Sequence, residues 1–124
     1  MSNRIRSSRF NSQQRGVVEA EETGVVTYSP EAENDLVQNH GHTAHHWGLD
    51  QAYVYTELLM ESARKAAKRE LPWREVEDFD GLYSVIVKWK NATYNHNIVF
   101  KPVQGGIYVV RVLHGAMDIA THLG

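Results

Sequence analysis

The hydrophobic pattern is clearest in the last third of the chain. Residues 107–113 read IYVVRVL and are dense in β-branched and aromatic side chains, so they predict a strand. Both of its faces are largely apolar, which is typical of a strand covered by other elements. The predicted faces are Ile107, Val109, Arg111 and Leu113 on one side, and Tyr108, Val110, Val112 and His114 on the other. Gly105-Gly106 predicts a tight turn with positive φ at both glycines, and His114-Gly115 ends the strand.

Three more segments predict strands. Residues 82–90 and 94–101 alternate with the same period and are joined by a turn at residues 91–93. In the second of them, Tyr94, His96, Ile98 and Phe100 share one face. Near the start of the chain, residues 24–28 read GVVTY, which predicts a short strand. The last three strands therefore form an antiparallel meander.

Between the first strand and the meander, apolar residues follow helical spacing. Ser29-Pro30 predicts a helix start over residues 30–46, and Gly48 is its expected stop. The apolar stripe of this helix is Ala32, Leu36, Thr43 and Trp47. A second helix over residues 51–69 is expected to be capped by Asp50 and ended by Pro72. The order β-α-α-β-β-β predicts a small single α+β domain, with a helical hairpin packed on an antiparallel sheet.

Composition restricts the class of protein. The chain has 124 residues, no cysteine, 42% hydrophobic and 23% charged residues, as is ordinary for one soluble globular domain. No apolar run approaches the ~20 residues of a membrane span, and no secretory signal is expected. Without cysteine, disulfides and thiolate metal sites are excluded. We therefore expect a cytoplasmic protein with no membrane partner.

Charge separates the N-terminal segment from the rest. Residues 1–18 carry four arginines (Arg4, Arg6, Arg9 and Arg15) and no acidic residue, whereas all 15 Asp and Glu residues lie beyond them. An acidic body is a poor general binder of nucleic acid, because affinity for phosphates depends on lysine and arginine. We expect residues 1–23 to be a basic, polar extension that is disordered when alone, and residues 24–124 to be the folded domain.

Several short motifs resemble those of ParE-type toxins, in the RelE/ParE superfamily of bacterial type II toxin–antitoxin systems. Residues 111–118 read RVLHGAMD and are similar to the "RVLHG..D" ending of that family, through Arg111, Val112, Leu113, His114, Gly115 and Asp118. Residues 27–36 (TYSPEAENDL) resemble the opening of its first helix, and residues 45–48 (HHWG) with Gln51, Ala52 and Tyr55 resemble "ERWG..QA..Y". Residues 81–84 and 97–100 resemble "PGLRS" and "HLIFY". Each motif is weak alone, but their order matches the predicted elements.

The resemblance implies a function as well as a fold. A ParE-like chain would be the toxin of a plasmid stabilisation system, inhibiting growth by binding DNA gyrase and neutralised by a cognate ParD-like antitoxin. The resemblance implies no cofactor. It implies an antitoxin that lies over the helical hairpin and the sheet, and it is compatible with a higher-order toxin–antitoxin assembly. The alternative is a RelE-like endoribonuclease that cleaves mRNA on the ribosome. A further alternative is an inactive relative that acts as a binding or regulatory protein.

The candidate site residues follow from these alternatives. In the RNase interpretation, Lys88, Lys90 and His114 would be catalytic, but Asn97 stands where RelE has an arginine, and no tyrosine follows Tyr108. Together with Arg111, the same three residues are candidates for binding a target or a phosphate group, and their alternative role is that of solvated strand residues.

A histidine cluster suggests metal binding only weakly. His42 and His46 lie four residues apart on the predicted helix, which places two imidazoles on one face. That turn contains no carboxylate to complete the ligand set, so no metal site is expected.

Overall fold

The computed structural model describes residues 24–90, 94–115 and 119–123. The predicted N-terminal extension, the turn at residues 91–93 and Asp118 of the C-terminal motif lie outside the described residues. The described elements are β1 (Val25–Tyr28), α1 (Pro30–Trp47), α2 (Leu49–Ala67), β2 (Arg74–Glu75), β3 (Tyr83–Trp89), β4 (Tyr94–Val103), β5 (Gly106–His114) and α3 (Ile119–Leu123). None of the described helices is long and apolar enough to cross a membrane.

The five strands form one sheet in the order β1-β5-β4-β3-β2. β1 runs parallel to β5, and the other neighbours are antiparallel. The two long helices pack on one face of the sheet, where Tyr55 and Leu59 of α2 meet Ile98, Phe100 and other strand residues in one buried cluster. The predicted α+β fold and its β-α-α-β-β-β order are confirmed, with β2 and α3 as additions that the sequence pattern did not predict.

The helix ends show which local signals act. Ser29 caps α1 as predicted, because its side chain accepts a hydrogen bond from the Ala32 amide at 2.9 Å. Gly48, at φ +93°, ends α1 and is also the N-terminal cap of α2, so the predicted cap at Asp50 is wrong. The predicted stop at Pro72 is wrong too. The second helix ends at Ala67, and Arg69 (φ +65°) turns the chain there through the left-handed region.

The turn before β5 uses its two glycines differently. Gly105 has φ +87°, as predicted, but Gly106 does not have a positive φ, which corrects that part of the prediction. A Cβ on Gly106 would lie 1.7 Å from the carbonyl oxygen of Val25. Gly106 is therefore required by the close approach of β1 to β5.

A β-bulge changes which residues of β5 face the helices. Phe100 pairs with Val109, but Val99 pairs with Arg111, so Val110 is an extra residue on β5. Beyond the bulge the alternation is reversed, and Val112 joins Val109 in the core under the helices. The predicted faces, which grouped Arg111 and Leu113 with Ile107 and Val109, are therefore wrong beyond residue 109.

Candidate functional site

The edge of β5 beyond β1 is closed by residues at the start of α1. The two strands pair from Val25↔Gly106 to Tyr28↔Val109, and beyond that point the described residues contain no strand beside β5 on that side. Ser29 donates its backbone N–H to the Val109 carbonyl at 2.9 Å and its hydroxyl to the Val110 carbonyl at 2.7 Å. Six residues after Ser29, the Asp35 carboxylate accepts the Val112 N–H at 2.9 Å. Side chains of α1 thus take the hydrogen-bonding role of a missing strand.

Asp35 also binds Arg111, one of the predicted site residues. Two guanidinium nitrogens of Arg111, Nε and an Nη, donate to the two carboxylate oxygens at 2.7 and 2.9 Å. This bidentate pair is mostly buried and raises the pKa of Arg111, chiefly through the hydrogen bond to Asp35. The remaining Nη donates weakly to the carbonyl of His122 at 3.4 Å. The guanidinium of Arg111 is therefore engaged in holding α1 against β5.

The other predicted site residues lie in different places. His114 pairs with His96, and both face the helices, whereas Lys88 is the exposed neighbour of Val87 and lies on the opposite face of the sheet. Lys90 lies at the end of β3 with φ +54°, and its ammonium is 5.0 and 4.7 Å from two tryptophan rings. The structure does not bring Lys88 together with His114.

A cleft lies between α1 and the adjacent ends of β4 and β5, with a volume of about 680 Å³. We call it the histidine cleft, because three imidazoles line it. The residues that line it are Asp35, Gln38, Asn39, His42, Tyr94, Asn95, His96, Val112, His114 and Gly115. The residues from α1 are spaced so that they share one helix face, and those from the strands are grouped where β4 begins and β5 ends.

His96 is the buried member of the histidine cleft. It is 4% exposed, and its Nδ1 is hydrogen-bonded to the Tyr55 hydroxyl at 2.6 Å. Burial, and to a smaller extent the neighbouring His114, lowers the pKa of His96 to about 4. The His96 imidazole is therefore neutral at pH 7, and its ring orientation is fixed from below by Tyr55.

The wall of the histidine cleft on the side of α1 contains a polar group without a partner. Asn39 is buried, and its Oδ1 accepts a hydrogen bond from the Tyr94 hydroxyl at 3.1 Å. Thr43 is hydrogen-bonded to the same hydroxyl at 3.1 Å. The Nδ2 of Asn39 is buried and has no hydrogen-bond partner among the described residues. A buried donor in this state loses its water hydrogen bonds without replacement.

Several large apolar side chains of the helical hairpin are exposed. Val37 is 68% exposed, Tyr53 is 62% exposed and Trp47 is 45% exposed, and Leu49 and Val54 of the same hairpin are exposed as well. We call these five residues the hairpin patch. They are most of the large hydrophobic side chains that the described part of the chain leaves exposed, and such a concentration is typical of a protein-binding surface.

The weak metal candidates are near each other but incomplete. The rings of His42 and His46 are 4.4 Å apart between centroids. In the described ranges, no group of three or more His, Cys, Asp or Glu residues is arranged to hold a metal ion.

Three residues of the site, Asp35, Asn39 and His96, were not predicted from the sequence. Asp35 and Asn39 lie four residues apart on α1, on the flank of its apolar stripe, which is a signal for polar groups facing the sheet. His96 was placed correctly on the face of Ile98 and Phe100, and a histidine on a core face is the signal for a buried, hydrogen-bonded imidazole.

The comparisons with known proteins agree with this fold. A sequence-family model described as the ParE toxin of type II toxin-antitoxin system, parDE, matches residues 26–119. No curated protein matches the chain in sequence. Among solved structures, the chain is similar to one described as the chromosomal ParDE TA system from P. aeruginosa, with a TM-score of 0.60 and 14% identity, over 75% of this chain and 97% of that one. At this identity the likeness shows the fold alone. The family match covers well over half of the sequence, and the chain therefore belongs to the ParE toxin family of type II toxin–antitoxin systems.

Proposed function

We propose that this chain inhibits growth by binding DNA gyrase and that a cognate ParD-like antitoxin neutralises it. The observation that carries the proposal is the family match over residues 26–119, which includes every long element of the fold. Gyrase as the target comes from the resemblance to ParE toxins. If gyrase is the target, the chain acts in the cytoplasm. A pair of this kind carried on a plasmid would stabilise that plasmid, because cells that lose the antitoxin are inhibited.

The hairpin patch is the surface that we assign to the antitoxin. Its apolar side chains lie on the outer side of α1 and α2, where an amphipathic helix of a partner would bury them. Burying an exposed Tyr53 or Val54 is worth about 1.5–3 kcal/mol each, which is enough to anchor a helix on this surface.

The RNase alternative receives less support from the geometry. A base, an acid and cations must surround one phosphate for RNA cleavage. Here Lys88 lies on the opposite face of the sheet from His114, and Arg111 is bound to Asp35. The candidate residues for that chemistry are therefore dispersed.

The test is induced expression of the chain without an antitoxin, followed by assays of growth, DNA-damage response and mRNA integrity in one culture. We expect arrest with a DNA-damage response and intact transcripts. With purified components, we expect the chain to inhibit supercoiling by gyrase. Arrest with cleaved transcripts and normal gyrase activity would overturn the proposal in favour of the RNase alternative, and normal growth would overturn toxicity itself.

A second experiment tests the antitoxin surface. Val54→Glu should leave the arrest in place but prevent rescue by the co-expressed antitoxin, because a charge in the hairpin patch opposes burial. Glu57→Gln, at an exposed position on the same helix, is the matched control and should still be rescued. Rescue of Val54→Glu to the same extent would show that the antitoxin binds elsewhere.

A further inference from the structure

The histidine cleft has the size of a small-ligand site, and the proposed function does not use it. Its volume of about 680 Å³ lies within the range of pockets that hold small organic ligands. It is formed by α1 and two strand ends, all of which belong to the packed fold. None of the five residues of the hairpin patch lines it.

The walls of the histidine cleft are flat rings. The rings of His42 and Tyr94 are nearly parallel, 22° apart, with centroids separated by 6.2 Å. His96 is set edge-on to Tyr94 at 5.7 Å, and His114 is set edge-on to His96 at 6.3 Å. Rings of this kind are the surfaces on which nucleobases stack in proteins.

The polar side chains that line the cleft match the edge of a base. Asn39 lines it with a buried amide whose Nδ2 has no partner among the described residues. Gln38 lines it from an exposed position, and its side-chain amide carries both donors and an acceptor. Amides read base edges through paired donor and acceptor contacts, which is the geometry of asparagine or glutamine with adenine.

The charges of the cleft favour an uncharged ring. The negative charge of Asp35 is matched by Arg111, which itself does not line the cleft. No lysine or arginine is among the lining residues, so a phosphate group would have no cation to pair with inside. The sugar and phosphate of a bound nucleotide would therefore remain outside, toward solvent.

From this arrangement we propose that the histidine cleft binds a nucleobase, stacked on the exposed imidazole of His42 and hydrogen-bonded by the exposed side-chain amide of Gln38. The base belongs either to a free nucleoside or nucleotide or to an unpaired nucleic-acid strand. Both sources present the same flat, uncharged ring with donors and acceptors on its edge. The proposal concerns binding only, and it does not depend on gyrase or on toxicity.

The test is a titration of the full chain with separate probes, followed by ¹H–¹⁵N NMR. The probes are adenosine, guanosine, cytidine, uridine, AMP, a short single-stranded RNA and inorganic phosphate. We expect at least one nucleoside to shift the side-chain amide signals of Asn39 and Gln38 in a saturable manner, with no response to phosphate. A nucleoside that binds as tightly as the RNA identifies a free ligand, and much tighter binding of the RNA identifies a strand.

Substitutions at exposed positions of the cleft test binding without removing buried side chains from the folded chain. Gln38→Ala and His114→Ala alter exposed residues of the cleft and should each weaken binding about tenfold, as expected for the loss of one good contact. His45→Ala removes an exposed histidine of α1 outside the cleft and should bind like the unchanged chain. The proposal is overturned if no nucleoside or RNA causes a saturable shift, or if His45→Ala weakens binding as much as His114→Ala.

Discussion

The ion pair between Asp35 and Arg111 makes the sharpest prediction for stability. One carboxylate accepts three hydrogen bonds, two from the guanidinium at 2.7 and 2.9 Å and one from the Val112 amide at 2.9 Å. Asp35→Ala removes the acceptor of the Val112 amide and of two guanidinium nitrogens of Arg111. Removing one member of a fully buried pair costs about 3–5 kcal/mol. The side chains of Arg111 and Asp35 are 21% and 12% exposed, so water reaches part of the site. We therefore expect a loss of about 2–3 kcal/mol.

Replacing the partner residue, Arg111, should lower the stability less. In Arg111→Ala, the Asp35 carboxylate still accepts the Val112 amide and gains water, so we expect a loss of about 1–2 kcal/mol. The double variant should be more stable than the sum of the single losses predicts, by about 1 kcal/mol, because each single variant already breaks the shared contact.

The assay is urea unfolding of the unchanged chain, the two single variants and the double variant, with thermal unfolding as a second measure. For a domain of this size, the predicted loss in Asp35→Ala corresponds to a Tm lower by about 10 °C. The control is Glu57→Gln, which removes one contact of the exposed Arg64 ion pairs and should change stability by less than about 0.5 kcal/mol. If Asp35→Ala is no less stable than this control, the carboxylate does not close the strand edge and the reasoning fails.

Two further predictions concern single positions. Gly106→Ala should prevent the normal pairing of β1 with β5 and lower the free energy of unfolding by about 3 kcal/mol or more, since its Cβ would lie 1.7 Å from the Val25 carbonyl oxygen. Urea unfolding followed by circular dichroism measures this loss, and an unchanged stability would contradict the close approach of the two strands. The pKa of His96 is lowered to about 4 in the folded chain, so its imidazole stays neutral there while the unfolded chain takes up a proton below about pH 6.5. The neutral His96 should therefore contribute about 3 kcal/mol to the free energy of unfolding above pH 6.5, and this contribution should be lost as the pH falls from 6.5 to 4. His96→Gln should flatten that part of the stability–pH curve and His45→Gln, at an exposed position, should not; equal curves for the two variants would refute the assignment to His96.

Local patterns predicted the long elements and their order. Alternation over residues 82–90 and 94–101 specified two strands because a strand with one face in the core repeats every two residues, and the density of β-branched and aromatic residues over 107–113 specified a third. Ser29-Pro30 and Gly48 marked the limits of the first helix through capping chemistry. These features depend on neighbours in sequence, and so they are visible without a structure.

The features that were missed depend on contacts between distant segments. A strand of two residues, Arg74–Glu75, has no alternation of its own and exists because it pairs with Ser84 and Tyr83. The bulge at Val110 depends on register with β4, and strict alternation could not reveal it. The contact of Asp35 with Arg111 joins residues 76 positions apart, so no local pattern pointed to it.

The C-terminal motif illustrates how a resemblance and a structure answer different questions. In the sequence, Arg111 and His114 were grouped as one candidate site. Because of the bulge, Arg111 lies at the edge of β5 and binds Asp35. His114 lies beside His96 in the histidine cleft. Gly115 donates to the Asn95 carbonyl at 2.9 Å, and a Cβ there would lie 1.7 Å from the Asn95 side-chain oxygen. Arg111 of this motif thus holds α1 against β5, whereas Val112, His114 and Gly115 line the histidine cleft. A motif whose residues mostly hold the structure together predicts the fold more firmly than the target. The identity of the target must therefore come from the growth and gyrase experiments, and the role of His114 from the nucleoside titration.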